Sequence, residues 1–263
     1  MGKFKVILSA TNYKPSNSQT IEKDDQGYYK VRLGAYNVFN SVNDFYTAEG
    51  VNALVHNKNS FFWRRLKKGY LKGEMGHPKM APGMSVQEFI NRNANIDDDR
   101  VACHIRDIEI EETDRTTNGM EKYGKVLIVN GWVKPAGPMG KYLQEALDNP
   151  NMNIAFSVRS LSKDTVIDGI NVKKTEAILG WDWVNEPGIN SANTFDMLTG
   201  KVVNTESLNT TVQLEITNTD LDCLKATKDS SLNQESAAAL SEITSVIETS
   251  LNNKTSVKKT LSW

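Results

Sequence analysis

An excess of charge of either sign is missing from this 263-residue chain. Its 31 Lys and Arg stand against 32 Asp and Glu, so no net field invites a nucleic acid or an anionic membrane surface. Cysteine is scarce as well: Cys103 and Cys223 lie far apart in different surroundings, which excludes a disulfide framework and a thiolate zinc site. No apolar run approaches the roughly 18 residues that a membrane-spanning helix needs, and MGKFKVILSA at residues 1–10 alternates instead of forming the apolar block of a signal peptide. The expectation is a protein that stays in the cytoplasm where it is made, with no membrane and no nucleic acid as partner. Neither GxGxxG nor GxxxxGKS/T occurs, so nucleotide chemistry has no support. His56, His77 and His104 form no HExxH and no close pair. The run Asp97-Asp98-Asp99 lacks the spaced ligands and glycine of a calcium loop. No metal and no cofactor is expected, and the acidic run reads as a solvated turn before a strand.

Aromatic residues vanish late in the chain. Between Asp196 and Ser262 there is no Phe, Tyr or Trp, the last proline is Pro187 and the last glycine is Gly200. A stretch rich in Ser, Thr, Asn and Lys buries too little apolar area to offset the entropy of ordering it. The sequence therefore divides into a domain over residues 1–210 and a flexible, low-complexity tail over 211–263. Within the tail, Leu240, Ile243, Ile247 and Leu251 recur at spacings of three and four, and Ser231 with Gln234 forms a capping box. This predicts one amphipathic helix over about 232–251.

What is present in the first 200 residues is mostly strand pattern. Alternating or β-rich runs cover Phe4–Leu8, Tyr28–Leu33, Val101–Ile110, Lys125–Val133, Ile154–Ser160, Val166–Val172 and Ala177–Val184. Helical patterns cover Ala48–His56, Val86–Asn93 and Lys141–Asn149, the last closed by Asn149-Pro150. Strands outnumber helices at intervals too irregular for a βαβ repeat, so the expected class is mainly β with surrounding helices (α+β), a barrel or sandwich.

The chemistry that remains is acyl transfer by serine and histidine. His77 sits in Gly73-Glu74-Met75-Gly76-His77-Pro78, where glycines and proline fix an irregular backbone. Ser157 lies in the strand-like run Ile154-Ala155-Phe156-Ser157-Val158-Arg159-Ser160 and shares a face with Ala155 and Arg159. A serine nucleophile needs a histidine within reach, a group that orients that histidine, and donors for the oxyanion.

These two segments resemble motifs of the prohead serine proteases of tailed phages, the T-even-phage type. Gly73–Pro78 resembles that family's GELxHP, and Phe156–Ser160 resembles its VSSRG, which carries the nucleophile. Asn43–Tyr46, Gly137–Lys141 and Trp181–Val184 followed by Pro187 fall in the family's order, so the match spans roughly residues 35–195. The resemblance implies an assemblin-like closed β-barrel with helices around it, and a serine endopeptidase that trims scaffold and major capsid proteins inside the prohead, in the host cytoplasm. It leaves a homo-oligomer open. Carried over by position, it places the catalytic histidine at His77, the nucleophile at Ser157 and the third member at Asp182. The oxyanion is assigned to the neighbourhood of Arg159. His104, in the alternating run Val101–Arg106, is the alternative third member, and Ser160 the fallback nucleophile. Glu74 either orients His77 or is a turn carboxylate. Here Ser160 stands where the motif has glycine and Val158 where it has its second serine.

Members of that family cut after a glutamate with Leu or Ile two positions ahead, and Leu240-Ser241-Glu242 meets this pattern, which makes self-cleavage after Glu242 an expectation. Two other readings stay open from sequence. One is a noncatalytic capsid or scaffold assembly protein that keeps the protease fold. The other is a metal-dependent hydrolase using His77, His104 and Asp97–Asp99.

Overall fold

The computed structural model describes residues 21, 23–189, 191–194, 197, 212–214, 216–229, 234–252 and 259–262. The Phe4–Leu8 pattern and Ser231 lie outside them. Two sheets form the frame. The first is antiparallel in the order β1 (Tyr29–Tyr36), β6 (Lys125–Pro135), β5 (Val101–Thr116), β4 (Lys72–Glu74). The second runs β2 (Val38–Phe39), β3 (Phe45–Thr47), β8 (Ile170–Val184), β7 (Ala155–Ile167), β10 (Lys259–Ser262), β9 (Val212–Leu214), with β3 parallel to β8. Among the described residues six α-helices surround them: α1 (Val51–His56), α2 (Phe61–Lys68), α3 (Val86–Ala94), α4 (Gly140–Asp148), α5 (Asn218–Asp229) and α6 (Gln234–Asn252).

The class is mixed α+β with more strand than helix, as expected. The continuous closed barrel of the expectation is not what the ladders form. The sheets join at one corner, where Met75 bridges Trp183 and the Gly76 N–H donates to the Trp183 carbonyl at 2.7 Å. At the opposite side β1 packs beside β7 without a ladder between them among the described residues, and a pocket opens there, lined by Gly34, Tyr36, Ser157, Trp181 and Ile189.

Leu33, Val129, Phe156, Val158, Ile178, Trp181 and Trp183 belong to the main buried cluster. A second cluster covers the opposite face of β7 and β8. There Leu161, Ala177 and Leu179 meet Phe61 of α2, Phe89 and Ile90 of α3, and Leu240, Ile243 and Ile247 of α6. At about 1.5–3 kcal/mol for each fully buried side chain, this contact is worth making. The predicted helix over 232–251 is thus present but is not part of a free tail, and α5, which the tail reading missed, packs against it.

Two further corrections concern local signals. Val166–Val172 is not one strand but the hairpin tip where β7 ends and β8 begins, because Asp168 and Gly169 take φ of 53° and 80°, the Asp-Gly signature of a two-residue turn. Helix α2 was overlooked although Ser60 caps it, accepting from the Trp63 N–H at 3.1 Å, and Gly69 closes it at φ 73°.

Gly73 is what lets β4 approach β8. A Cβ at this position would meet the Trp181 carbonyl oxygen at 2.4 Å and the Cys103 sulfur at 2.8 Å. Gly73→Ala should therefore push β4 off the corner, lowering Tm by an amount corresponding to roughly 1–3 kcal/mol of overpacking and displacing the residues that follow. A thermal melt at wild-type Tm would refute the close-approach argument.

Candidate active site

The site is built on the face of β7 and β8 turned away from the main cluster and on the segment that leaves β4. Ser157 stands directly opposite Asp182 in the β7–β8 ladder, and Arg159 stands opposite Gly180. Directly opposed residues on one face have Cβ atoms about 4.5–5.5 Å apart, so register alone brings Ser157 beside Asp182. The ladder also contains an irregularity that decides the face. On β8, Ile178 belongs to the main cluster and Leu179 to the second, yet Trp181 and Trp183 are again in the main cluster. The register shift between Arg159 and Ser160, opposite Leu179 and Gly180, inverts the alternation. Without it Asp182 would share the face of Ile178.

His77 follows Gly76, whose φ of 74° is a left-handed turn open to glycine. That turn brings the imidazole back over the β8 strand. His77 Nδ1 lies 2.8 Å from Asp182 Oδ2. The Asp182 carboxylate also accepts from the Glu74 N–H at 2.9 Å, and Arg159 donates Nε and Nη2 to it at 2.7–3.0 Å. Burial pushes the Asp182 carboxyl up, but the Arg159 guanidinium and the His77 and Glu74 hydrogen bonds outweigh it and hold the pKa at about 2. The ionised carboxylate can only accept, so Nδ1 carries the proton and Nε2 is the basic nitrogen. For His77 itself, burial is the strongest influence and lowers its pKa below the ordinary 6.5, against the upward pull of Asp182. A neutral imidazole with a fixed tautomer is what a general base requires.

Behind this pair lies an ionic network of which the sequence reading named Asp182, Arg159 and Glu74 but not Arg92. Every N–H of the Arg159 guanidinium has a partner: Asp182, Glu74 at 3.2 Å, and the carbonyls of Asn93 and Asn95 at 3.3 Å each. The side chain of Arg159 is therefore committed to Asp182, and an oxyanion contact in its neighbourhood falls to backbone N–H groups. Arg92 of α3 forks onto Glu74 at 2.9 and 2.5 Å. An arginine on a helix carries no sequence signal for such a role. Glu88 and Ser85, which form the capping box of α3, are the signal that would have fixed where that helix starts and which way Arg92 points.

The other predicted residues lie elsewhere. His104 is on β5 opposite Lys72, with Nδ1 2.9 Å from the Tyr28 hydroxyl. Ser160 is fully buried. Asp98 pairs with Lys72 at 3.1 Å, and Asp97 caps the short turn before β5. Among the described residues no group of three His, Cys, Asp or Glu is placed to hold a metal ion. Cys103 is buried, which pushes its thiol up to about 12, and its role is packing against Gly73.

The model of the peptidase S80 family matches residues 7–250. The chain belongs to the peptidase S80 family. The chain is also similar to the "Capsid maturation protease" of Pseudomonas phage phiKZ, at 40% identity over 193 residues. The match covers 71% of the chain and 66% of that relative, so the chain spans just under two thirds of the relative's length. No solved structure matches. The matched region includes His77, Ser157 and Asp182, and also α5 and most of α6. In this S80 peptidase the C-terminal helices thus fall within the family's extent.

Proposed function

We propose that this S80 peptidase is a capsid maturation serine endopeptidase that cleaves scaffold and major capsid proteins inside a prohead. The observation that carries the reading is the His77–Asp182 hydrogen bond, with Asp182 set opposite Ser157 by strand register. In the reaction His77 Nε2 takes the Ser157 proton as Oγ attacks the substrate carbonyl. Asp182 holds the imidazole tautomer and stabilises the imidazolium, and backbone N–H groups next to Arg159 receive the oxyanion. His77 then returns the proton to the leaving amine, and water hydrolyses the acyl-enzyme by the same route. Strand register, not a hydrogen bond, relates Ser157 to Asp182 here. Such contacts tighten when substrate is bound. The two sheets meeting at the Met75–Trp183 corner, with β1 alongside β7, support an assemblin-like relationship for the fold.

A serine-directed covalent probe followed by peptide mapping tests the assignment. Labelling at Ser157 that is lost in His77→Ala supports it. A folded, unlabelled protein favours the assembly role without catalysis.

The lowered pKa of His77 sets the pH profile. Protonated His77 cannot accept the serine proton, so kcat/KM falls as pH drops through the folded-state value, which lies below 6.5. The acid limb of kcat/KM on a glutamate-containing peptide is expected below pH 6.5; a limb centred above that value would contradict a buried His77 base.

Self-cleavage after Glu242 is proposed with a condition attached. Glu242 is in α6 and accepts from the Phe61 N–H at 2.7 Å, while neighbouring Leu240 and Ile243 are buried. A protease needs an extended segment, so α6 must first leave its cluster. Mass spectrometry of mature heads should find a terminus at Glu242, and an intact chain would refute the proposal.

A further inference from the structure

Glu74 is fully buried and the mechanism gives it no step. Burying a carboxylate costs several kcal/mol unless its partners compensate, and the partners here are specific. Arg92 forks onto both its oxygens, the Asp97 N–H donates to Oε1 at 2.9 Å, Arg100 stands 3.8 Å from Oε2, and Arg159 stands 3.2 Å from Oε1. The backbone N–H of the same residue donates to Asp182 Oδ1. Glu74 thus touches Asp182 with its main chain and Arg159, the other holder of Asp182, with its side chain.

We propose that Glu74, anchored by Arg92, is a positioning residue for the His77–Asp182 pair. Its carboxylate fixes the guanidinium of Arg159, and Arg159 in turn fixes the carboxylate that orients His77. The proposal rests on the reading of the site given above. Asp182 and Glu74 with Arg159 and the part-buried Arg92 balance in charge, and at the rim Asp97, 3.7 Å from Arg92, balances Arg100. Removing the Glu74 charge leaves two guanidiniums facing one carboxylate, and Arg159 shifts its share of contact on Asp182. The groups around His77 are Asp182 from β8, Arg159 from β7 and Glu74 from β4, with Arg92 from α3 and Arg100 behind Glu74. Loss of the Glu74 charge therefore also makes the surroundings of the imidazole more positive.

The test uses the full chain and two measurements. In active protein, Glu74→Gln should lower kcat on the order of 10- to 100-fold with KM nearly unchanged, the size expected for a displacement of about 1 Å at the reacting groups. In the Ser157→Ala background, an NMR titration of the histidines, with His77 assigned by its loss in His77→Gln, should show the His77 midpoint moved to lower pH. His56 and His104 serve as unmoved references. Arg92→Gln should likewise lower kcat, through loss of the fork that holds Glu74, but should move the His77 midpoint to higher pH, because it removes a cation instead of an anion. The double variant Glu74→Gln/Arg92→Gln should lose less than the sum of the singles, because it restores charge balance. A folded Glu74→Gln protein with wild-type kcat and an unmoved His77 titration overturns the proposal, as does a change in KM alone. Where Glu74→Gln fails to fold, Arg92→Lys, which keeps the charge and loses the fork, must lower kcat and move the titration; an unchanged protein overturns it equally. The titration needs no turnover. If Ser157→Ala remains active, the serine assignment fails while the coupling of Glu74 to His77 is still decided by the midpoint.

Discussion

Ser157→Ala should reduce peptide-bond cleavage on the order of 10⁴- to 10⁶-fold, the size of effect seen when the nucleophile of a catalytic triad is removed. The fold should be unaffected: the ladder that holds β7 to β8, from Ala155–Val184 to Ile167–Ile170 and including Ser157–Asp182, is carried by the backbone, which the substitution leaves in place. His77→Ala should lose a comparable amount, and combining the two substitutions should cost little more than either, because the groups act as a unit. The measurement is turnover of a co-expressed scaffold or capsid substrate with an unchanged melting temperature as the control. A fully active, correctly folded Ser157→Ala protein would end the serine protease assignment.

Asp182 is the position with the largest combined effect. Asp182→Asn keeps the shape but can present an N–H where His77 needs an acceptor, which favours the wrong imidazole tautomer; about 10⁴-fold in kcat is the expected loss. Asp182→Ala does more. It leaves the Arg159 guanidinium, 2% exposed, facing the site with its principal counter-charge gone. Breaking one side of a buried ion pair costs about 3–5 kcal/mol, so this variant should lose stability as well as activity. Denaturant unfolding ranks the two variants: both lose the counter-charge of buried Arg159 and should lose stability, Ala more than Asn, because Asn keeps an oxygen that can accept from the guanidinium. Equal stability of Asp182→Ala and wild type would show that Arg159 does not depend on Asp182.

The candidate site was named in the sequence through the resemblance of two segments, Gly73–Pro78 and Phe156–Ser160, to prohead protease motifs, and local sequence added to it. His77 between Gly76 and Pro78, and Asp182 between two tryptophans, are positions where backbone geometry or burial is constrained, and constrained polar residues are found where chemistry needs them. Ser157 was legible from its strand pattern together with the Arg159 two positions on. Less visible were contacts made across long sequence separations. Arg92 and Glu74 are 18 residues apart, and Glu242 reaches Phe61 across 181; no periodicity encodes either. The tail was misread for a related reason. Composition led to the expectation that residues 211–263 form no core of their own, but Leu240, Ile243 and Ile247 need only half a core, and the face of β7 and β8 away from the main cluster supplies the rest.

By itself the sequence determined the strand-rich class, the amphipathic α6, the glycine turn that carries His77, and the residue types needed for acyl transfer, because each depends on neighbours a few positions away. The tertiary structure alone decided that Asp182, though buried, lies on the face turned away from the main core. Strict alternation along β8 would have set it with Ile178 in the main core, and only the register shift beside Gly180 turns it to the face of Ser157 and Arg159. A ladder irregularity is a property of two strands together, so neither strand's own pattern contains it.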